Sequence, residues 1–162
     1  MTVRQQDPAL AGWIGEALRL ADRNVADGGG PFGALVVGGG EVVATGSNRV
    51  PLDRDPTAHA EITAIRAACR RLDRFSLAGC TLVSSCEPCP MCLTSALWAR
   101  LDRVVYAADR DDAAYAGFDD RAFHDLLDRP RTEWPLALER VDAPDRMRPF
   151  ESWLAKPDRV EY

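Results

Sequence analysis

Histidine is scarce in this chain, which carries only His59 and His124, and a basic excess and long apolar runs are missing. Each shortage excludes something. No apolar stretch approaches the roughly 18 residues that cross a bilayer, so no membrane partner is expected. Residues Met1 to Pro8 show no basic segment leading into an apolar run, so no secretory leader is expected and the cytoplasm is the anticipated location. The formal net charge of -5 argues against a polyanion binder, because neutralising phosphates is a main source of nucleic-acid affinity. Arginines are present but are interleaved with aspartates, as in Asp53-Arg54-Asp55 and Asp119-Asp120-Arg121. No internal repeat, low-complexity tract or long linker divides the 162 residues, so one domain is expected. The glycine-rich stretches near Gly28 and Gly38 lack the Lys and Ser/Thr of a phosphate-binding loop and read as turns.

What is present is a helix–strand alternation. Leu10, Trp13, Ile14, Ala17, Leu18, Ala21 and Val25 recur at helical spacing from Pro8 to about Asp27. Phe32–Val37 and Glu41–Thr45, joined by Gly38-Gly39-Gly40, form a hairpin signal. A polar loop with Pro51 and Pro56 leads to a helix over Ala58–Cys69, then a strand over Cys80–Ser84 and a helix over Cys89–Arg100. A strand at Arg103–Ala107 follows, with helical stretches at Asp111–Ala116 and Asp120–Leu127. A further strand at Leu136–Val141 and a helix at Pro149–Ala155 end the chain. This order predicts an α/β fold, a three-layer α/β/α sandwich around a central mixed sheet.

The chemistry concentrates in two short segments. His59-Ala60-Glu61 opens one predicted helix, and thirty residues after His59 the run Cys89-Pro90-Met91-Cys92 opens the next. Residues three apart share a helix face, so Cys89 and Cys92 can point at one ion. With His59 they make a His-Cys-Cys set, which leaves a fourth tetrahedral position for water and so marks a catalytic zinc rather than a structural one. A helix N-terminus also favours the thiolate form that binds metal. Glu61, two residues from His59 and a poor match for a soft site, is the candidate general acid and base. Cys86 and Cys89 form a second Cys-x-x-Cys; the later pair is preferred because it shares a helical turn, and Cys86 is read as a packed neighbour. Cys69 and Cys80 read as small core residues.

On these residues the chain resembles the cytidine-deaminase-like superfamily and, within it, the small bacterial guanine deaminases. The resemblance runs through Gly30-Pro31-Phe32-Gly33-Ala34, Asp55-Pro56-Thr57-Ala58-His59-Ala60-Glu61, Ser85-Cys86-Glu87-Pro88-Cys89-Pro90-Met91-Cys92, Ala116-Gly117-Phe118-Asp119-Asp120 and the terminal Glu161-Tyr162. It implies one Zn2+ per subunit, with His59, Cys89 and Cys92 as ligands and Glu61 as the proton carrier in hydrolysis of an exocyclic amine. It further implies guanine as substrate, with Asn48 at the base edge, Phe32 against its face and Asp120 at the C2 amine, also shuttling protons. A homodimer is implied too, in which the segment from about 143 to 162 crosses over and Tyr162 closes the partner's site.

Each substrate residue also has a plain structural reading: Asn48 as a turn, Phe32 as core, Asp120 as a helix cap. Trp98 reads as core or as a pocket wall, and His124 as a structural or surface residue. Other substrates stay open, namely guanosine, cytosine or an aminotriazine such as ammeline. A tRNA adenosine deaminase shares the zinc motif but should carry a basic docking face. A purely structural zinc scaffold would need a fourth protein ligand and would have no use for Glu61.

Overall fold

A computed structural model of the chain describes residues 8–162. The leader reading drawn from the first residues lies outside them, apart from Pro8. The chain resolves into two compact units, Met1–Asp125 and Leu126–Tyr162.

The first unit is built on four strands: β1 (Gly33–Gly38), β2 (Glu41–Ser47), β3 (Cys80–Cys86) and β4 (Arg103–Ala108), in the order β2-β1-β3-β4. The hairpin pairs β1 with β2 antiparallel, and β1 also runs antiparallel to β3, whereas β3 and β4 are parallel. Gly39 and Gly40 turn the hairpin at φ values of 61° and 83°, a left-handed pair that side chains resist and that matches the strand twist. The sheet is therefore mixed, as expected.

Successive residues of β1 face opposite layers, and the packing follows that period. Ala34 and Val36, with Leu82 of β3, join the cluster that contains Ala60, Ala64 and Ala68 of α3 (Ala60–Leu72) and Ala96 of α4 (Pro90–Trp98). Leu35, Val37 and Val83 pack on the other face with Ala17, Trp13, Ile14 and Leu20 of α1 (Pro8–Ala26). Three layers result. Burying each Leu or Val here contributes roughly 1.5–3 kcal/mol relative to leaving it in water.

The stripe of alanines on α3 lets that helix lie close to the sheet, and Gly46 on β2 completes the fit. A methyl group at Gly46 would collide with the Ala60 carbonyl oxygen and the Ala64 backbone nitrogen, which cannot move independently of the helix. Trp98 does not belong to this layer. The core face of α4 and its cap holds Cys92, Ala96 and Ala99, which turns Trp98 outward to 67% exposure; the core reading is corrected.

The loop after β2 is not wholly irregular. One helical turn, α2 (Val50–Asp53), starts with Pro51 in its first positions, where the missing N–H costs nothing. After β4 come α5 (Arg110–Tyr115) and α6 (Arg121–Leu126). Asp109 starts α5 with a capping box, accepting from the Asp111 and Asp112 amides while Asp112 accepts from the Asp109 amide.

In the second unit the described residues form a 3-10 turn at Arg131–Glu133 and the helix α7 (Arg148–Ala155). The strand expected at Leu136–Val141 is absent. Its apolar residues offer no partner: no described strand pairs with the segment, and an extended segment without a ladder leaves its backbone groups to water.

Gly46→Ala is expected to cost about 1–3 kcal/mol through overpacking against helix backbone. Gly12→Ala on α1, where a Cβ meets nothing within 4 Å, should instead stabilise by about 0.5–1 kcal/mol. Urea denaturation of the two variants measures both; equal effects would remove the close-approach argument.

Candidate active site

One edge of the sheet collects the ends that matter. The parallel strands β3 and β4 finish there, and the hairpin begins and ends there, at Phe32 and Asn48. Helices α3 and α4 start from the same edge, as ligand sites beyond the carboxyl ends of strands require.

The two helices begin alike. His59 is the N-cap of α3 at φ -67° and ψ 158°, and Cys89 is the N-cap of α4 at φ -64° and ψ 167°. Each carbonyl accepts the first helical bond at 2.9 Å, from Thr63 and Leu93 respectively. Neither side chain is used to cap its helix, so both are free to turn toward a common point. An Asx turn sets up this geometry for α3: Asp55 accepts from the Thr57 amide at 2.8 Å and from its hydroxyl at 2.7 Å.

That common point fits zinc. The ligand atoms of His59, Cys89 and Cys92 lie within 4.8 Å of one another. His59 Nδ1 is 3.6 Å from Cys89 Sγ and 3.5 Å from Cys92 Sγ. Tetrahedral zinc with the usual Zn–S and Zn–N lengths holds neighbouring sulfur and nitrogen ligands about 3.6 Å apart. The donors are the nitrogen and thiolates that zinc prefers, and no fourth protein ligand joins them among the described residues. Cys86 stands aside, with its Sγ 3.6 Å from the Asp109 carbonyl that it donates to.

The protons of the site are distributed by burial and by contact. The hydrogen bond from Cys92, and then His59, hold the Cys89 thiol down at about 4, which favours the thiolate form that binds zinc. Its hydrogen bond to Cys89 also raises His59 above the ordinary imidazole range. Desolvation raises Cys86 to about 11, the behaviour of a thiol that stays protonated. Glu61 is 6% exposed, and burial lifts its carboxyl above the usual range. Its Oε1 accepts from the Ser84 hydroxyl at 3.3 Å. A carboxyl so placed, in the first turn of the helix that His59 caps, can take up and return a proton.

The substrate residues expected from sequence fall into three groups. Phe32 meets Phe118 edge to face, with centroids 5.0 Å apart and planes at 86°, which brings the Gly117-Phe118-Asp119-Asp120 segment to the hairpin. Asn48 is buried at the end of β2, its Oδ1 accepting from the Val50 amide at 3.2 Å. Asp120 does not cap α6 with its side chain. Asp119 accepts from the Arg121 amide instead, at 3.2 Å, and leaves Asp120 Oδ1 buried without a hydrogen-bond partner. Tyr162 belongs to the second unit and is exposed.

Several contributors were not singled out by sequence. Asn24 Nδ2 donates to the carbonyls of Gly30 and Asn48, both at 2.7 Å, tying the hairpin's two ends together. Its signal was available: a polar residue three after Ala21, on the buried face of an amphipathic helix. Glu87 and Arg110 form a fork-like pair, Nε to Oε2 at 3.0 Å and a second nitrogen to Oε1 at 2.5 Å. Arg110 is the first cause of Glu87's lowered pKa. The Glu87 amide also donates to the Ala108 carbonyl at 2.8 Å, so the loop carrying Cys89 is stitched to the start of α5. Nothing in the sequence pairs residues 87 and 110.

The family model described as the cytidine and deoxycytidylate deaminase zinc-binding region matches residues 10–108. The chain belongs to this family. It is 44% identical to the guanine deaminase of Bacillus subtilis over 151 residues, 93% of this chain and 97% of that protein. The X-ray structure of that guanine deaminase superposes with a TM-score of 0.89, covering 94% of this chain and 98% of the other. A guanine deaminase structure from Nitrosomonas europaea superposes at 0.65 with 38% identity, over 72% and 66% of the two chains. The tRNA-specific adenosine deaminase of Aquifex aeolicus is also 44% identical, but over only 92 residues, 57% of this chain and 61% of that protein. Membership of a zinc-binding deaminase family agrees with the donor set and with the fold expected from sequence.

Cys92→Ala is expected to purify without zinc, whereas Cys86→Ala should retain one ion per chain. Metal analysis of the two proteins decides between the two overlapping Cys-x-x-Cys pairs.

Proposed function

We propose that this deaminase hydrolyses guanine to xanthine and ammonia, with His59, Cys89 and Cys92 holding the zinc. The observation that carries the reading is the extent of the likeness. Similarity to a guanine deaminase continues past residue 108, where the zinc-binding region ends, through nearly the whole chain. Similarity to the tRNA-specific enzyme spans little more than half of it. The net charge of -5 favours a small nucleobase over RNA for the same reason it did in sequence.

When bound, zinc supplies a water whose pKa is lowered toward roughly 7. The protein's own groups do the rest. Glu61, desolvated and held by Ser84, accepts a proton from the attacking water and passes protons to the ring nitrogen and the departing amine. The carbon–nitrogen bond to the exocyclic amine breaks, the water oxygen stays on the ring, and ammonia leaves. Phe32 lies against the base face, steadied by Phe118, and Asn48 serves the base edge. Asp120 accepts from the C2 amine through the oxygen left without a partner, and shuttles protons to the leaving group.

The same reading extends to assembly. The 162 residues act as one deaminase domain in a cytoplasmic homodimer, in which the segment from about 143 to 162 crosses to the partner subunit and Tyr162 closes its site. Support comes from the apolar side chains of Leu136, Leu138, Phe150, Leu154 and Val160, all more than half exposed in the single chain. Surfaces of this kind mark an interaction site. No helix among the described residues is long and apolar enough to cross a membrane.

Ammonia release from the zinc-replete protein, measured against guanine, guanosine, cytosine, adenine, ammeline and a tRNA anticodon stem-loop, tests the substrate. Guanine is expected to lead the panel, and turnover of RNA alone would overturn the assignment. Glu61→Gln should keep fold and zinc and lose roughly 10²–10⁴ in guanine turnover. Removing Glu161-Tyr162 should damage turnover more than thermal stability; the reverse result would make the tail structural.

A further inference from the structure

Asp120 has a neighbour that the deaminase reading leaves unused. His124 sits one helical turn on, its side chain only 10% exposed, with Nε2 3.5 Å from Asp120 Oδ2. Asp120 immediately precedes α6 and its carbonyl accepts from the His124 amide at 3.4 Å, so the two side chains are placed one turn apart. His124 Nε2 has no hydrogen-bond partner, and neither has Asp120 Oδ1. Desolvated polar atoms left in this state are costly, and they mark a place where a partner is still to come. Asp119 has already taken over the helix start, engaging the Arg121 amide and its guanidinium at 2.8 and 2.7 Å. Asp120 is thereby released from capping.

The terminal torsion of an aspartate is broad, so an unanchored carboxylate swings. A proton carrier that swings loses the alignment on which transfer depends. We propose that His124 is a positioning residue for Asp120: its Nε2–H steadies one carboxylate oxygen so that the other stays aimed at the exocyclic amine. The proposal rests on the reading that Asp120 meets that amine. A 3.5 Å separation suits such a contact before substrate arrives, since hydrogen bonds at active sites tighten in the substrate complex.

The test compares kcat and KM for guanine in zinc-replete, full-length His124→Phe, His124→Gln, Asp120→Asn and the double variant His124→Phe/Asp120→Asn. His124→Phe is expected to lose about tenfold in kcat, the scale of outer partners that orient reacting groups, with KM, zinc content and melting temperature little changed. His124→Gln, whose amide N–H reaches the same carboxylate, should recover most of that loss. In the Asp120→Asn background, His124→Phe should add nothing. Unchanged kcat in His124→Phe, together with a dead Asp120→Asn, would overturn the positioning role and leave the Asp120 reading standing. Equal losses of activity and melting temperature in the Phe and Gln variants would make His124 a packing residue and overturn the proposal. Full turnover by Asp120→Asn would sink the Asp120 reading, and this inference with it.

Discussion

Three zinc-binding donors can be brought within 4.8 Å of one another only if two helices start at the same place, and that requirement governs the first unit. Helix α3 must press on the sheet closely enough for its N-cap to meet that of α4. The sequence achieves this with backbone-sized contacts, Gly46 beneath Ala60 and Ala64, and with fully buried Ala60, Ala64 and Ala68 along the helix. Larger residues would bury more apolar area but would lift α3 off the sheet and move His59. Packing is therefore subordinate to distance.

The same closeness sets the electrostatics. Bringing Glu61 into the layer between α3 and β3 removes its water, and a desolvated carboxyl resists ionisation. Ser84, buried in β3, donates its hydroxyl to Glu61 Oε1. The aim is a group poised to change protonation, and full stabilisation of its charge would defeat it. Cys86 and Cys89 illustrate the contrast over three residues of chain. The first lies against a carbonyl and is pushed up by burial, whereas the second lies against Cys92 and an imidazole and is held down toward the thiolate.

The zinc centre and the layered sheet were legible because their determinants are local. A ligand at a helix start, a second three residues into the next helix, and period-two strands leave marks at fixed spacing. The errors have the opposite character. Leu136–Val141 carries an apolar content that suits a strand, but composition cannot reveal whether a neighbouring ladder exists. Trp98 was read by residue type, whereas its angle from Ala96 on the same helix turns it to solvent. Leu18 and Val25 fit the helical period of α1 yet lie at the exposed rim of its stripe, while polar Asn24 takes a buried place between the hairpin's ends. The Glu87–Arg110 pair spans 23 residues and has no sequence signature at all.

A division of labour follows from where these features sit. The region shared across the family ends at residue 108, and it contains every zinc donor, Glu61, Phe32 and Asn48. Phe118 and Asp120 lie beyond it. They reach the site through the turn between β4 and α5, which is fixed by the Asp109 capping box and by the Arg110–Glu87 fork. The general machinery of amine hydrolysis thus rests on the sheet and its two helix starts. The groups proposed to recognise the base and its amine are carried by short elements fastened to that frame at a few polar points.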